Sequence, residues 1–389
     1  MGKYHKHSEV EIQKILQTIT DPYTGANLLE NNSLNELIVN TDEIELSLIK
    51  SYPAGRAEKV LKALIQETLA EKLAISADEI ELLLKVDSKI TPHSQKHAVT
   101  AVPSVGNIIA VSSGKGGVGK STVSVNIALA LQQQGANVGI LDADIYGPSV
   151  PKALNVSDKP EMQENKMLPL TKFGLQIMSI GLMIDQETPM IWRGPMVTQA
   201  LEQMMRNTAW GQLDYLILDL PPGTGDVQLT LAQKTPLAGA VVVTTPQDIA
   251  LLDVKKAIKM FEKVEVPLLG IVENMSTHIC SNCAYEEAIF GQGGGDKLSE
   301  EYNIPVLGGI PLDINIRTAI DAGLPTVAKV AKTKSTQAMS KEITETLSSQ
   351  REIEIADHYH DIALKLVGQL AARKKDYRTL FPKIEISNT

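Results

Sequence analysis

Cysteine is nearly absent from this chain: Cys280 and Cys283 are the only two among 389 residues. That excludes a disulfide framework and makes a reducing, cytoplasmic setting the expectation. Aromatic residues are also scarce, at 4%, while Ala, Leu, Ile and Val are plentiful. This balance favours aliphatic strands packed against helices, an α/β composition. No apolar run approaches the roughly 18–20 residues that cross a bilayer, so no membrane partner is expected. The polar start "MGKYHKHSEV" does not read as a signal peptide, and its "HKH" reads as a solvated end rather than a metal site. Positive charge has no surplus. A formal net charge of −9 argues against a broad grip on nucleic acid, so any anionic ligand must be held by a local device.

A chain of this length suggests two or three units. Residues 1–90 read as a small α+β domain. "EVEIQKILQTI" is helical in period and is broken by Pro22 and Gly25. "LNELIVN" and "EIELSLIK" read as a hairpin-like strand pair around "TD", "AEKVLKALIQETLAEKL" as a second helix, and "IELLLKV" as a third strand. Residues 91–106 are polar, hold two prolines and lack periodicity, which reads as a linker. From 107 to 331 short apolar strands alternate with helices: "NIIAVSSG", "NVGILDAD", "LDYLILDL", "GAVVVTTP", "LLGIVENM" and "PVLGGIPL". Their weak inside–outside alternation marks strands buried on both faces, so the expected fold is a doubly wound, mostly parallel sheet. Residues 332–389 read as a helical extension and tail, with "IADHYHDIALKLVGQLAARKK" the clearest helix.

"GKGGVGKS", Gly114 to Ser121, follows a buried strand and opens a helix, as a phosphate-binding P-loop must. Gly114, Gly116, Gly117, Val118 and Gly119 would point backbone N–H groups at phosphate oxygens. Lys120 would reach the β- and γ-phosphates, and Ser121 would ligate Mg²⁺. Asp219 ends the run "YLILD", where a carboxylate acts on that metal directly or through water. Gly223 and Gly225 in "PPGTGD" are free enough to move with a γ-phosphate. Asp142 and Asp144 end the preceding strand, at the sheet edge where ligands bind. Asp144 is the candidate for orienting the attacking water and Asp142 for supporting the metal side; a helix-capping role is the plainer alternative.

Lys115 is not required by the basic motif. With it, Lys115 to Ser121 resembles the deviant Walker A NTPases, which include MinD, ParA, the arsenite-pump ATPase and the nitrogenase iron protein. The resemblance implies that Lys115 acts across a homodimer interface on the partner's ATP, much as an arginine finger does. It also implies that Asn274, in "LLGIVEN", contacts the nucleotide base; an ordinary turn asparagine is the plainer alternative.

"DADIYGPSVP", "IWRGPM", "DLPPGTGD", "ENMS" followed by C-x-x-C, and "FGQGGG" narrow the resemblance to the Mrp/ApbC-type iron–sulfur carrier ATPases. "ILQTITDPYTGANLL" resembles the small iron–sulfur-assembly domain often fused to them, although "SYPAGRAEKV" lacks the cysteine that domain often carries. Four thiolates suit a cluster or a structural zinc. One chain offers two, so Cys280 and Cys283 would need a second copy, the same dimer that Lys115 implies. The expected cofactors are thus ATP, Mg²⁺ and a dimer-bridging [4Fe–4S] cluster, loaded by a donor scaffold and delivered to apo iron–sulfur proteins. Zinc would use the same ligands. A thioredoxin-like redox pair is a further alternative, but such pairs open a helix near the first βαβ unit. His278 reads as a local hydrogen-bonding group or a simply exposed one rather than as a ligand. A MinD/ParA-like positioning protein and a nitrogenase-iron-protein-like reductase are the competing functions.

Overall fold

The computed structural model describes residues 8–40, 43–93, 100–183, 194–280, 282–283, 285–337 and 350–373. "HKH", the "TD" turn, Ile191 to Arg193 of "IWRGPM" and the tail from residue 374 lie outside them.

The N-terminal unit begins with helix Glu9–Leu16, whose first turn is capped by the Ser8 hydroxyl. Strands Leu34–Val39 and Ile44–Lys50 pair antiparallel, and helix Ala57–Leu73 then crosses over to strand Leu82–Ser88, which runs parallel to the second. Ile12, Leu16, Leu46, Leu61 and Ile65 meet in its core.

A nine-stranded, mostly parallel sheet forms the centre of the molecule. All six apolar runs read from the sequence lie in it, in the spatial order Val306–Leu312, Leu268–Ile279, Leu237–Thr244, Val105–Ser112, Leu213–Asp219, Val138–Asp142. Strand Leu175–Ser179 continues it in parallel, and Leu170–Lys172 closes that edge antiparallel. Successive strands leave Val105–Ser112 in opposite directions, so the loop that follows it sits at the topological switch point.

Helix Lys120–Gln133 carries apolar residues all round, and Val123, Val125, Ile127, Leu129 and Leu131 are all buried. A helix of that kind must be covered on every side. The sheet covers one side, and the long helix Gln350–Ala371, whose Ile362, Leu366 and Val367 are buried in the same core, packs against it as well. Gly308 admits Ile362, whose Cγ1 would lie 2.9 Å from a Cβ at that glycine. The C-terminal helix read as an extension is therefore a wall of the nucleotide-fold core.

The N-terminal unit docks at the end of helix Lys120–Gln133 and along helix Gln350–Ala371. Gly55 and Arg56 donate backbone N–H groups to Gln134 (3.3 and 2.5 Å), and Arg56 pairs with Asp357. Tyr23 and Tyr52 join the core of the larger unit. The segment read as a linker is anchored at its start: the His93 N–H donates to Asn107 Oδ1 (2.8 Å), and Asn107 Nδ2 donates to the Thr91 carbonyl (3.2 Å). Residues 94–99 of that segment lie outside the described residues.

Candidate functional site: a phosphate loop and a cysteine arm

The loop Gly114–Gly119 joins the central strand to helix Lys120–Gln133. Gly117 and Gly119 have φ of +82° and +80°, a region that side chains disfavour. Gly114 lies against helix Asp248–Lys263, where a Cβ would come within 2.4 Å of the Asp253 carbonyl carbon. A tight glycine loop opening a helix N-terminus is the arrangement that phosphate binding uses.

Lys120 is buried and donates to Asp219 Oδ1 at 2.8 Å and to Ser121 Oγ at 3.2 Å. Ser124 also donates to Asp219 Oδ1, at 2.6 Å. This hydroxyl was not singled out in the sequence, although it lies one turn beyond Lys120 on the same helix face. Asp219 Oδ2 is buried with no hydrogen-bond partner among the described residues, so this oxygen can accept a cation or its water. Lys120, Ser121 and Asp219 are thus brought together at the start of this helix.

Asp142 is fully buried and engaged on both oxygens: Oδ1 accepts the Asp144 N–H (3.1 Å), and Oδ2 accepts the Val150 N–H (3.1 Å) and the Ser179 hydroxyl (3.2 Å). It ties the strand end to helix Val150–Leu154. Burial and the nearby Asp219 charge push its carboxyl up to about 7, against the pull of those N–H groups and of Lys120. Asp144 accepts the Gly147 N–H at 3.3 Å. Burial raises its carboxyl as well; the Lys120 charge opposes the rise and Asp219 adds to it.

Gly223, at φ +95°, donates its N–H to the Ser113 carbonyl (2.9 Å), which ties the "PPGTG" segment to the root of the phosphate loop. Lys115 is half-buried and reaches Gln247 Oε1 at 3.5 Å within its own chain. Asn274, expected at the nucleotide base, donates from Nδ2 to the Val118 carbonyl at 2.8 Å and so braces the loop.

Beyond Asn274 the strand Leu268–Ile279 runs on past its neighbour Leu237–Thr244 and pairs with Glu286–Glu287. Cys280 and Cys283 sit in the turn between them, Cys280 partly exposed and Cys283 exposed. Cys280 donates its N–H to the Tyr285 carbonyl (2.9 Å), closing the turn. Hydrogen bonds from the Asn282 and Cys283 backbone and from the Cys283 thiol hold the Cys280 thiol below its usual range. Among the described residues no third His, Cys, Asp or Glu joins the pair as a metal-binding group. His278 Nδ1 is 3.1 Å from the Leu312 carbonyl, the local bond expected of it.

The glycine run in "FGQGGG" packs the arm's return path against the sheet. Gly294 opens helix Gly294–Tyr302 where a Cβ would lie 2.9 Å from the Pro246 carbonyl oxygen. Gly295 donates its N–H to Glu273 Oε2 at 2.6 Å.

Residues 104–348 match the family model described as ParA, the NUBPL iron-transfer P-loop NTPases. The chain is 48% identical over 331 residues to the iron–sulfur cluster carrier protein of Haemophilus influenzae, covering 84% of this chain and 88% of that protein. It is 46% identical to the carrier of the same name in Escherichia coli, over 86% of this chain and 90% of that protein. The mouse iron–sulfur cluster transfer protein NUBPL is 49% identical over 58% of this chain and 72% of its own length. Among solved structures, a nucleotide-binding protein of Archaeoglobus fulgidus in complex with ADP superposes with a TM-score of 0.51 at 39% identity, covering 57% of this chain and 87% of that one. Phosphate loop, buried acidic partner and cysteine arm thus stand on a matched sequence and a matched fold, and the chain belongs to the NUBPL-type iron-transfer P-loop NTPases of the ParA family.

Proposed function

We propose that this protein is a cytoplasmic ATPase that carries a [4Fe–4S] cluster between two copies of itself and delivers it to apo iron–sulfur proteins. The observation that carries the reading is the cysteine arm: two accessible thiols on a projecting turn, with no third ligand grouped beside them among the described residues. Such a half-site is completed by its own symmetry mate, and an exposed, shared cluster is easily handed on. The carrier and transfer names of the relatives support the same cargo. A donor scaffold loads the arm, and an apoprotein receives from it.

At the nucleotide, Lys120 exchanges Asp219 for the β- and γ-phosphates, and the loop N–H groups hold the remaining oxygens. Mg²⁺ fits this site, because Ser121 Oγ and the unpartnered Asp219 Oδ2 would hold it directly or through water; bound, it neutralises phosphate charge. Asp144 orients the attacking water, Asp142 keeps the strand end and Asp144 in place, and Lys115 reaches the partner's nucleotide. The competing reading, a membrane-positioning ATPase, would need a free amphipathic helix. The apolar face of Gln350–Ala371 is buried in the core instead.

Anaerobic reconstitution with iron and sulfide tests the proposal. A broad sulfur-to-iron absorption band and about four irons per dimer are expected, with neither in Cys280→Ala/Cys283→Ala. Zinc alone, or no metal on an intact dimer, would overturn it.

A further inference from the structure

Strand Leu268–Ile279 touches both centres of this molecule. At Asn274 its side chain holds the phosphate loop through the Val118 carbonyl. Gly119 makes that approach possible, since a Cβ there would lie 2.2 Å from Asn274 Nδ2 and 4.0 Å from Met275 Cε. Cys280 follows six residues later, about 20 Å along an extended strand.

Between the two ends the strand is not regular. Met275 has φ of +57°, left-handed for a side chain with no polar group to support it. Pairing with Val306–Leu312 slips at the same place: Asn274 faces Ile310, yet His278 faces Leu312, so two extra residues are accommodated. This is a β-bulge, a device that re-aims a strand beside a functional site. Past the bulge the strand is fastened again. Ser276 Oγ donates to the Ile310 carbonyl (3.2 Å), folding over Gly309, where a Cβ would lie 2.9 Å from it, and His278 meets Leu312. The return limb is fastened to the near side, by Gly295 on Glu273. Both limbs of the cysteine turn therefore converge on two adjacent residues, the return limb on Glu273 and the outgoing strand on Asn274, and Asn274 is the one that seats the phosphate loop.

We infer that the Met275 bulge is a positioning joint that passes movement of the phosphate loop on nucleotide binding to the Cys280–Cys283 turn. Its purpose rests on the carrier reading; its measurement does not. A shift of the Val118 carbonyl pulls Asn274, the left-handed residue turns that pull into rotation of the following segment, and Ser276 and His278 hand it to the turn. Asn at position 275 keeps the left-handed conformation, whereas β-branched Ile cannot adopt it without strain.

The test uses reduced, metal-free full-length protein and reads the rate of Cys283 alkylation by iodoacetamide, with and without Mg²⁺ and a non-hydrolysable ATP analogue. Sedimentation measures the dimer fraction in the same samples. Wild type should change its alkylation rate about fivefold or more with nucleotide. Met275→Ile should lose the change at an equal dimer fraction and with ATP turnover retained, and Met275→Asn should keep it. If Met275→Ile does not fold, Ser276→Ala/His278→Ala is judged by the same loss. A nucleotide effect that survives in the uncoupling variant, or is absent from wild type, overturns the joint. Failure of iron loading with the alkylation pattern intact would instead remove the carrier reading and leave the joint standing.

Discussion

Replacing Lys120 with Met disturbs the site before any nucleotide arrives. The ammonium lies 2.8 Å from Asp219 Oδ1, with the two side chains 6% and 0% exposed. Without it, Ser124 is the one donor left to that oxygen among the described residues, and Oδ2 has no partner among them. Removing one member of a buried ion pair costs about 3–5 kcal/mol, mostly as a stranded charge. With an unfolding entropy of about 2.1 cal/mol/K per residue, the whole chain unfolding together loses about 0.8 kcal/mol/K. The expected fall in Tm is then about 4–6 °C. Calorimetry on nucleotide-free protein measures it. Asp219→Asn in the same background removes the stranded charge, so the double variant should regain most of the loss, with a coupling of about 2 kcal/mol or more. Added ATP should raise the Tm of wild type and leave Lys120→Met unmoved. A nucleotide-free Lys120→Met that melts within about 1 °C of wild type, with additive single variants, would refute the pairing.

Two other expectations follow from the same packing. Asp142 sits near pH 7 in the fold and near the ordinary aspartate value of about 3.9 when unfolded. Its ionisation therefore opposes folding increasingly as pH rises from the lower value through the upper one. Asp142→Asn should gain stability relative to wild type by about 2–3 kcal/mol between pH 5 and 8; a pH-independent difference in denaturant midpoints would contradict the burial argument. Gly368→Ala would place a Cβ 2.3 Å from the Tyr23 carbonyl oxygen, lifting the N-terminal unit from the C-terminal helix at about 1–3 kcal/mol. Amide exchange in Ala57–Leu73 should accelerate, and unchanged protection would mean that the docking does not depend on this contact.

Much of the nucleotide site was legible because its parts are local. A glycine loop between an apolar strand and a helix, and an aspartate ending another apolar strand, are defined within about ten residues each. All six strands were found for the same reason. Leu175–Ser179 was not, since Gln176 and Ser179 interrupt its apolar run, although Ser179 is fully buried against Asp142. Ser124 escaped notice because a serine inside a helix is unremarkable until Asp219, 95 residues away, is brought to it.

The chain's local chemistry set the phosphate loop, the strands and the pairing of two cysteines at a spacing that one copy cannot turn into four ligands. Helical period likewise marked the C-terminal helix, but nothing in its sequence says what its apolar face covers. Only the folded chain places that helix over helix Lys120–Gln133, turns Asn274 onto the phosphate loop, and bends the strand at Met275 towards the cysteines. Those facts depend on contacts between segments far apart in sequence. Hydrophobic pattern specifies that a face is buried, and the geometry of the sheet decides against which neighbour.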